Sequence, residues 1–153
     1  MTIVVATEPT STICSKEILE SIPVVMHYIR RGIRRELGDK ASVPQIRALS
    51  FIRRHPSSTL TTVSEYLAVS NATTSSIVDR LVKKGLVTRS EDPKERRCLQ
   101  LSLTQKGQEE YRIVEEVAIA ELTRVLTRLP DEKVRQIQNG LRLLKEALEE
   151  ERR

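Results

Sequence analysis

A chain of 153 residues is long enough for one domain with a genuine core and short for two. Its 39% hydrophobic and 31% charged residues suit a helix-rich globular fold and exclude a disordered one. Aromatics at 3% leave too few rings to stack the splayed bases of single-stranded RNA. We find no run of about 20 apolar residues and no basic-then-apolar leader, so a cytoplasmic protein with no membrane span is expected.

The net charge of +5 is unevenly spread. Residues 30–106 hold 16 Lys+Arg against 7 Asp+Glu, whereas the flanks 1–29 and 107–153 are each net acidic by two. An electropositive middle calls for a polyanionic partner. Catalysis has no foothold: there is no Gly-rich phosphate loop, no nucleophile beside a base, and no carboxylate pair off the solvated helix faces. We therefore expect neither an enzyme nor a cofactor.

In chain order, residues 1–14 mix Thr, Ser and Pro and read as a flexible tail. Ile18, Leu19, Ile22, Val25, Met26, Ile29 and Ile33 then share one broad helical face over 15–37, with Pro23 expected to kink or split the helix. A second helix opens at Ser42, with Pro44 in its first turn and Gln45 at capping-box distance, and stops at His55-Pro56. A short third helix, capped by Thr59 or Thr61, carries Leu60, Val63 and Leu67, and Ala68-Val69 is the turn after it. Ser70 caps a fourth helix with Thr74, Ile77, Val78 and Leu81 inward and Gly85 at its end.

Beyond Gly85 the apolar period changes to two. Residues 86–89 read as one strand, and Leu99, Leu101 and Leu103 alternate with polar residues in a second, with the tip SEDPKERR between them. Thr104 caps a long helix to about Leu129, and Pro130 interrupts. In the last helix Val134, Ile137, Leu141, Leu144 and Leu148 recur at heptad spacing, a narrow seam suited to coiled-coil-like packing.

The expected fold is mainly α with a small β-hairpin: a winged helix-turn-helix over 42–103. Such an arrangement fits B-DNA, because a helix about 10–12 Å across enters a major groove roughly 12 Å wide while a wing reaches the minor groove. The outer face of the fourth helix offers Asn71, Ala72, Thr73, Ser75, Ser76 and Arg80, which are short or basic and allow close approach. Ser70 puts exposed helix amides where a phosphate can dock. The blander reading is simply a well-capped helix start. On the wing, Arg89, Lys94, Arg96 and Arg97 place cations on a loop with no core to serve, and arginine gains from the negative potential of a narrow minor groove.

The stretch SVPQIRAL…VSNATTSSIVDRLVKKGLVTRSEDPKERRCLQLSLTQKG closely resembles the multiple-antibiotic-resistance-regulator (MarR) family, over roughly residue 15 to the end. The resemblance implies a single 15–153 domain and a homodimeric DNA-binding regulator, most often a repressor, reading a pseudo-palindromic operator in double-stranded DNA. It implies that helices 15–38 and 104–153 form the dimer interface, placing Ile18, Ile22, Val134, Ile137, Leu141, Leu144 and Leu148 there. It further implies a small lipophilic or phenolic effector that releases the DNA. On the wing it implies that Glu95, with Asp92 nearby, supports Arg97 for the minor groove. The family usually has Asp where Glu95 stands, and a basic residue where Ser76 stands.

Cys14 supports a second reading, because one branch of the family senses peroxide through an N-terminal cysteine. Tyr28 is then its partner, although Cys14 sits about one helical turn from that branch's position, and reactivity needs a lowered thiol pKa. Cys98 on the wing is incidental. His27 and His55 stand apart from any metal-ligand spacing, so no metal is expected. A winged-helix protein-interaction adaptor is the remaining rival. The acidic run 146–151 suits it and the basic middle opposes it.

Overall fold

The computed structural model describes residues 8–38, 42–91 and 99–151. These fall into two compact units, Met1–Ala118 and Ile119–Arg153. The first opens with α1, Thr10–Leu37. The helix starts five residues earlier than the sequence suggests, so residues 10–14 are helical rather than tail. Pro9 explains the start: its fixed φ of −56° suits the N-cap, and its carbonyl accepts from the amides of Thr12 and Ile13. Pro23 does not split α1. The missing amide leaves only the carbonyl of Leu19 unserved, and Leu19 is 74% exposed, so water can take the bond. Along α1, only Gly32 is buried.

Next come α2 (Val43–Arg54), β1 (Ser58–Thr59), α3 (Leu60–Leu67) and α4 (Asn71–Lys83). Ser42 caps α2 by accepting from the Gln45 amide at 3.5 Å. The reciprocal half of the expected capping box is spent elsewhere: the buried Gln45 side chain accepts from Lys84 Nζ at 3.2 Å, joining the start of α2 to the end of α4. A true capping box occurs on α3, between Thr59 and Thr62. Ala68 takes a left-handed conformation (φ 58°) to turn the chain into α4, and Gly85 (φ 71°) turns it out.

Strands β2 (Val87–Glu91) and β3 (Leu99–Leu103) pair antiparallel as expected. A third strand went unread: two-residue β1 pairs with β3, Ser58 opposite Leu101, giving the order β1-β3-β2. Leu101 is buried at the base of this sheet, whereas Leu99 is exposed toward the tip. The core beneath α4 is built from Ala48, Leu49 and Ile52 of α2, Val63 and Leu67 of α3, Val78 and Leu81 of α4, and Leu86, Val87 and Leu101. Burying these aliphatics is the main favourable term holding the three helices to the sheet.

Helix α5, Gln105–Leu126, begins against this body. Thr104 caps it, accepting from the Gly107 amide at 2.9 Å and donating to Gly85 O at 2.6 Å. Lys106 Nζ donates to Lys84 O at 2.9 Å, and the Thr104 amide donates to Leu86 O at 3.0 Å. Gly107 lies so close that an added Cβ would sit 2.0 Å from Leu86 O. The run Thr104-Gln105-Lys106-Gly107 is therefore a clamp on residues 84–86.

The second unit carries the end of α5 and helix α6, Asp131–Glu150. Asp131 and Glu132 in the first turn of α6 complement its dipole. No residue of α6 is buried, and Ile137, Leu141 and Leu148 of its heptad seam are 42%, 57% and 59% exposed. None of the described helices is long and apolar enough to cross a membrane.

Candidate nucleic-acid interface

Helix α4 is anchored by one face. Thr74, Val78 and Leu81 are fully buried, and Thr74 Oγ1 spends its proton on Ser70 O at 3.1 Å, so the buried hydroxyl costs little. The opposite face is open. Ala72, Thr73, Ser76 and Arg80 are exposed and Ser75 is half-buried. Their spacing of one, three and four places them along one side of the helix.

Each polar group on this side has a defined donor or acceptor to offer. Ser70 Oγ accepts from the Thr73 amide at 3.2 Å and bonds the Thr73 hydroxyl at 2.9 Å, fixing the helix start. Asn71 Oδ1 lies 2.5 Å from Ser64 Oγ, which ties the Asn71 amide to α3. Ser76 Oγ donates back to Ala72 O at 3.2 Å and keeps its lone pairs as acceptors. Arg80 is an exposed cation with no ion pair among the described residues. Exposed Lys83, which sequence reasoning passed over, follows Arg80 by three residues and extends the same face.

Arg89, expected among the wing cations, makes a contact within the chain. It leaves β2 to donate to Asp79 Oδ1 of α4 at 2.6 Å, with the two side chains 33% and 47% exposed. Asp79 was missed from sequence because nothing in a linear pattern shows which acid faces a strand ten residues on. Asp92, Lys94, Glu95, Arg96, Arg97 and Cys98 lie outside the described residues.

An unforeseen aromatic group sits on the outer side of α2 and α3. Phe51 stacks on Tyr66 and meets His55 at a tilt, both with ring centroids 4.6 Å away, and Arg47 and Arg54 lie 5.5 and 5.7 Å from the Tyr66 ring centre. His55, expected at the helix end, is the C-cap of α2. Cys14 is exposed. It and Tyr28 share α1 fourteen residues apart, about 21 Å along the axis, so they cannot meet within one chain. Ile18 is half-buried and Ile22 exposed on the same helix.

Three helices over a small sheet, with a polar helix face open beside a two-stranded wing, define a winged helix-turn-helix DNA-binding protein of the transcription-regulator class. The MarR family model matches residues 41–99. The chain is 31% identical over 108 residues to the HTH-type transcriptional regulator YfiV of Bacillus subtilis, a match covering 71% of this chain and 68% of that one. It is 29% identical over 92 residues to the HTH-type transcriptional repressor MdtR of the same organism, covering 60% and 59%. Among solved structures, RV1404 from Mycobacterium tuberculosis superposes with a TM-score of 0.78 at 25% identity, over 92% of this chain and 95% of that one. This chain belongs to the MarR family.

Proposed function

We propose that this protein is a homodimeric repressor that reads a pseudo-palindromic operator and is released by a small lipophilic or phenolic effector. The observation that carries the reading is the open face of α4: short hydroxyls and the exposed Asn71, flanked by Arg80 and Lys83, on a helix locked to the core from behind. That is the surface a major groove needs, with small groups for base edges and cations for phosphates. The dimer reading rests on α6, whose heptad seam is exposed at Ile137, Leu141 and Leu148 and half-buried at Val134 and Leu144 in the single chain, and on the exposed apolar residues of α1. A second copy would bring two α4 helices about one DNA turn apart, roughly 34 Å. Repression follows from occupancy of a promoter and agrees with the description of MdtR.

The test is titration of a promoter duplex, found by footprinting the neighbourhood of the protein's own gene, at rising salt. Affinity should fall log-linearly with a slope near −0.9 per phosphate neutralised. Little affinity at any salt would leave the adaptor reading standing. Sedimentation at micromolar concentration should give a dimer, and a monomer would overturn the two-helix geometry. On the wing, Arg97→Ala should weaken binding to the same duplex about 10- to 100-fold, the scale of one well-placed arginine contact. Unchanged affinity would remove Arg97 from the interface.

A further inference from the structure

The Asp79–Arg89 pair presents a conflict that α4 must resolve. Asp79 follows Ser76 by three residues and Ser75 by four, so it lies along the face proposed to read DNA. A carboxylate there is repelled by phosphate unless something neutralises it. Arg89, on the strand that leads into the wing, does so with a 2.6 Å hydrogen bond. The pair runs from α4 to β2, and each side chain is only partly exposed.

Resting on the reading of α4 as the DNA-facing helix, we propose that Arg89 is a positioning residue rather than a phosphate contact. Its bond to Asp79 fixes where the wing strand leaves α4, and so sets the offset between the helix in the major groove and the wing in the minor groove. The reasons are geometric. An arginine committed at 2.6 Å to a carboxylate has its charge cancelled locally and part of its donor fork occupied. The register of β2 puts Arg89 opposite the buried Leu101, on the middle rung of the β2–β3 ladder, where β3 is also held by β1. Asp79 in turn sits one residue beyond the fully buried Val78, on rigid helix. The pair therefore joins two fixed points. The acid's place on a DNA-facing surface is explained by what it holds.

The experiment uses the full-length protein and a duplex recovered by wild-type protein from a random-sequence pool. Arg89→Ala, Asp79→Asn and the double variant are titrated across a range of salt. Each single change should weaken binding about fivefold, the scale of one partly exposed charge pair. The double variant should be no worse than either single, because both remove the same link. The salt slope should be unchanged throughout. If Arg89 instead contacts phosphate, Arg89→Ala lowers the slope by about 0.9. Asp79→Asn then tightens binding by relieving repulsion, and either result overturns the proposal. Failure of wild-type protein to recover any duplex would instead sink the DNA-reading assignment of α4. Both side chains reach solvent, so neither substitution empties the core, and coincident thermal melts check this.

Discussion

Gly107→Ala is expected to cost the protein about 3 kcal/mol or more of stability, lowering its melting temperature by roughly 6–12 °C. The added methyl would lie 2.0 Å from Leu86 O, 2.9 Å from Leu86 C and 3.2 Å from its Cα, all main-chain atoms. No side chain can swing aside. Leu86 is held in place from both directions, by burial in the core and by the Thr104 amide on its carbonyl. Relief requires α5 to back away, which breaks the bonds of Thr104 and Lys106 to residues 85 and 84. Alanine's better helix propensity returns only about 1 kcal/mol. Gly140→Ala is the internal control, because Gly140 lies within α6 with nothing within 4 Å of an added Cβ. It should be neutral or stabilising by up to about 1 kcal/mol. Thermal and urea melts by circular dichroism distinguish the two. A Gly107→Ala melt at or above wild type would falsify the clamp.

The second large effect is on binding. Ser76→Glu should reduce affinity for a footprinted duplex about a hundredfold or more at 0.15 M salt while leaving the melt unchanged. Position 76 is exposed, and glutamate is a better helix former than serine, so the fold loses nothing. The new carboxylate would sit four residues before Arg80 and pair with it, cancelling its charge and adding repulsion toward phosphate. Fluorescence anisotropy with a labelled duplex measures it. Affinity within threefold of wild type would mean that α4 does not face DNA.

Much of the fold was legible because its signals are local. Ser42, Thr59 and Ser70 mark helix starts by bonds spanning three residues, and Gly85 marks a helix end by its positive φ. The change from helical to alternating period after Gly85 announces the wing. What escaped was non-local or too short. Strand β1 has two residues and no period, and exists only because β3 offers it an edge. The spacing from Ser42 makes Gln45 a capping partner, but its side chain turns to Lys84, 39 residues away. Pro23 ordinarily breaks a helix, which an exposed stretch of α1 does not enforce. At the candidate site, the open face of α4 followed from its inward positions, since a helix anchored at Thr74, Val78 and Leu81 can present little else outward. The engagement of Arg89 by Asp79 did not follow, because pairing across a helix and a strand depends on where the chain returns.

The acceptors of the Thr104–Gly107 clamp, at residues 84, 85 and 86, are all main-chain carbonyls. They are present whatever side chains α4 carries. The outer face of α4 can thus be rewritten residue by residue while its seating on α5 stays the same. A scaffold jointed this way separates what is read from where the reader is held, and grafting a foreign outer face between Ala72 and Arg80, with Asp79 kept, should carry its sequence preference with it.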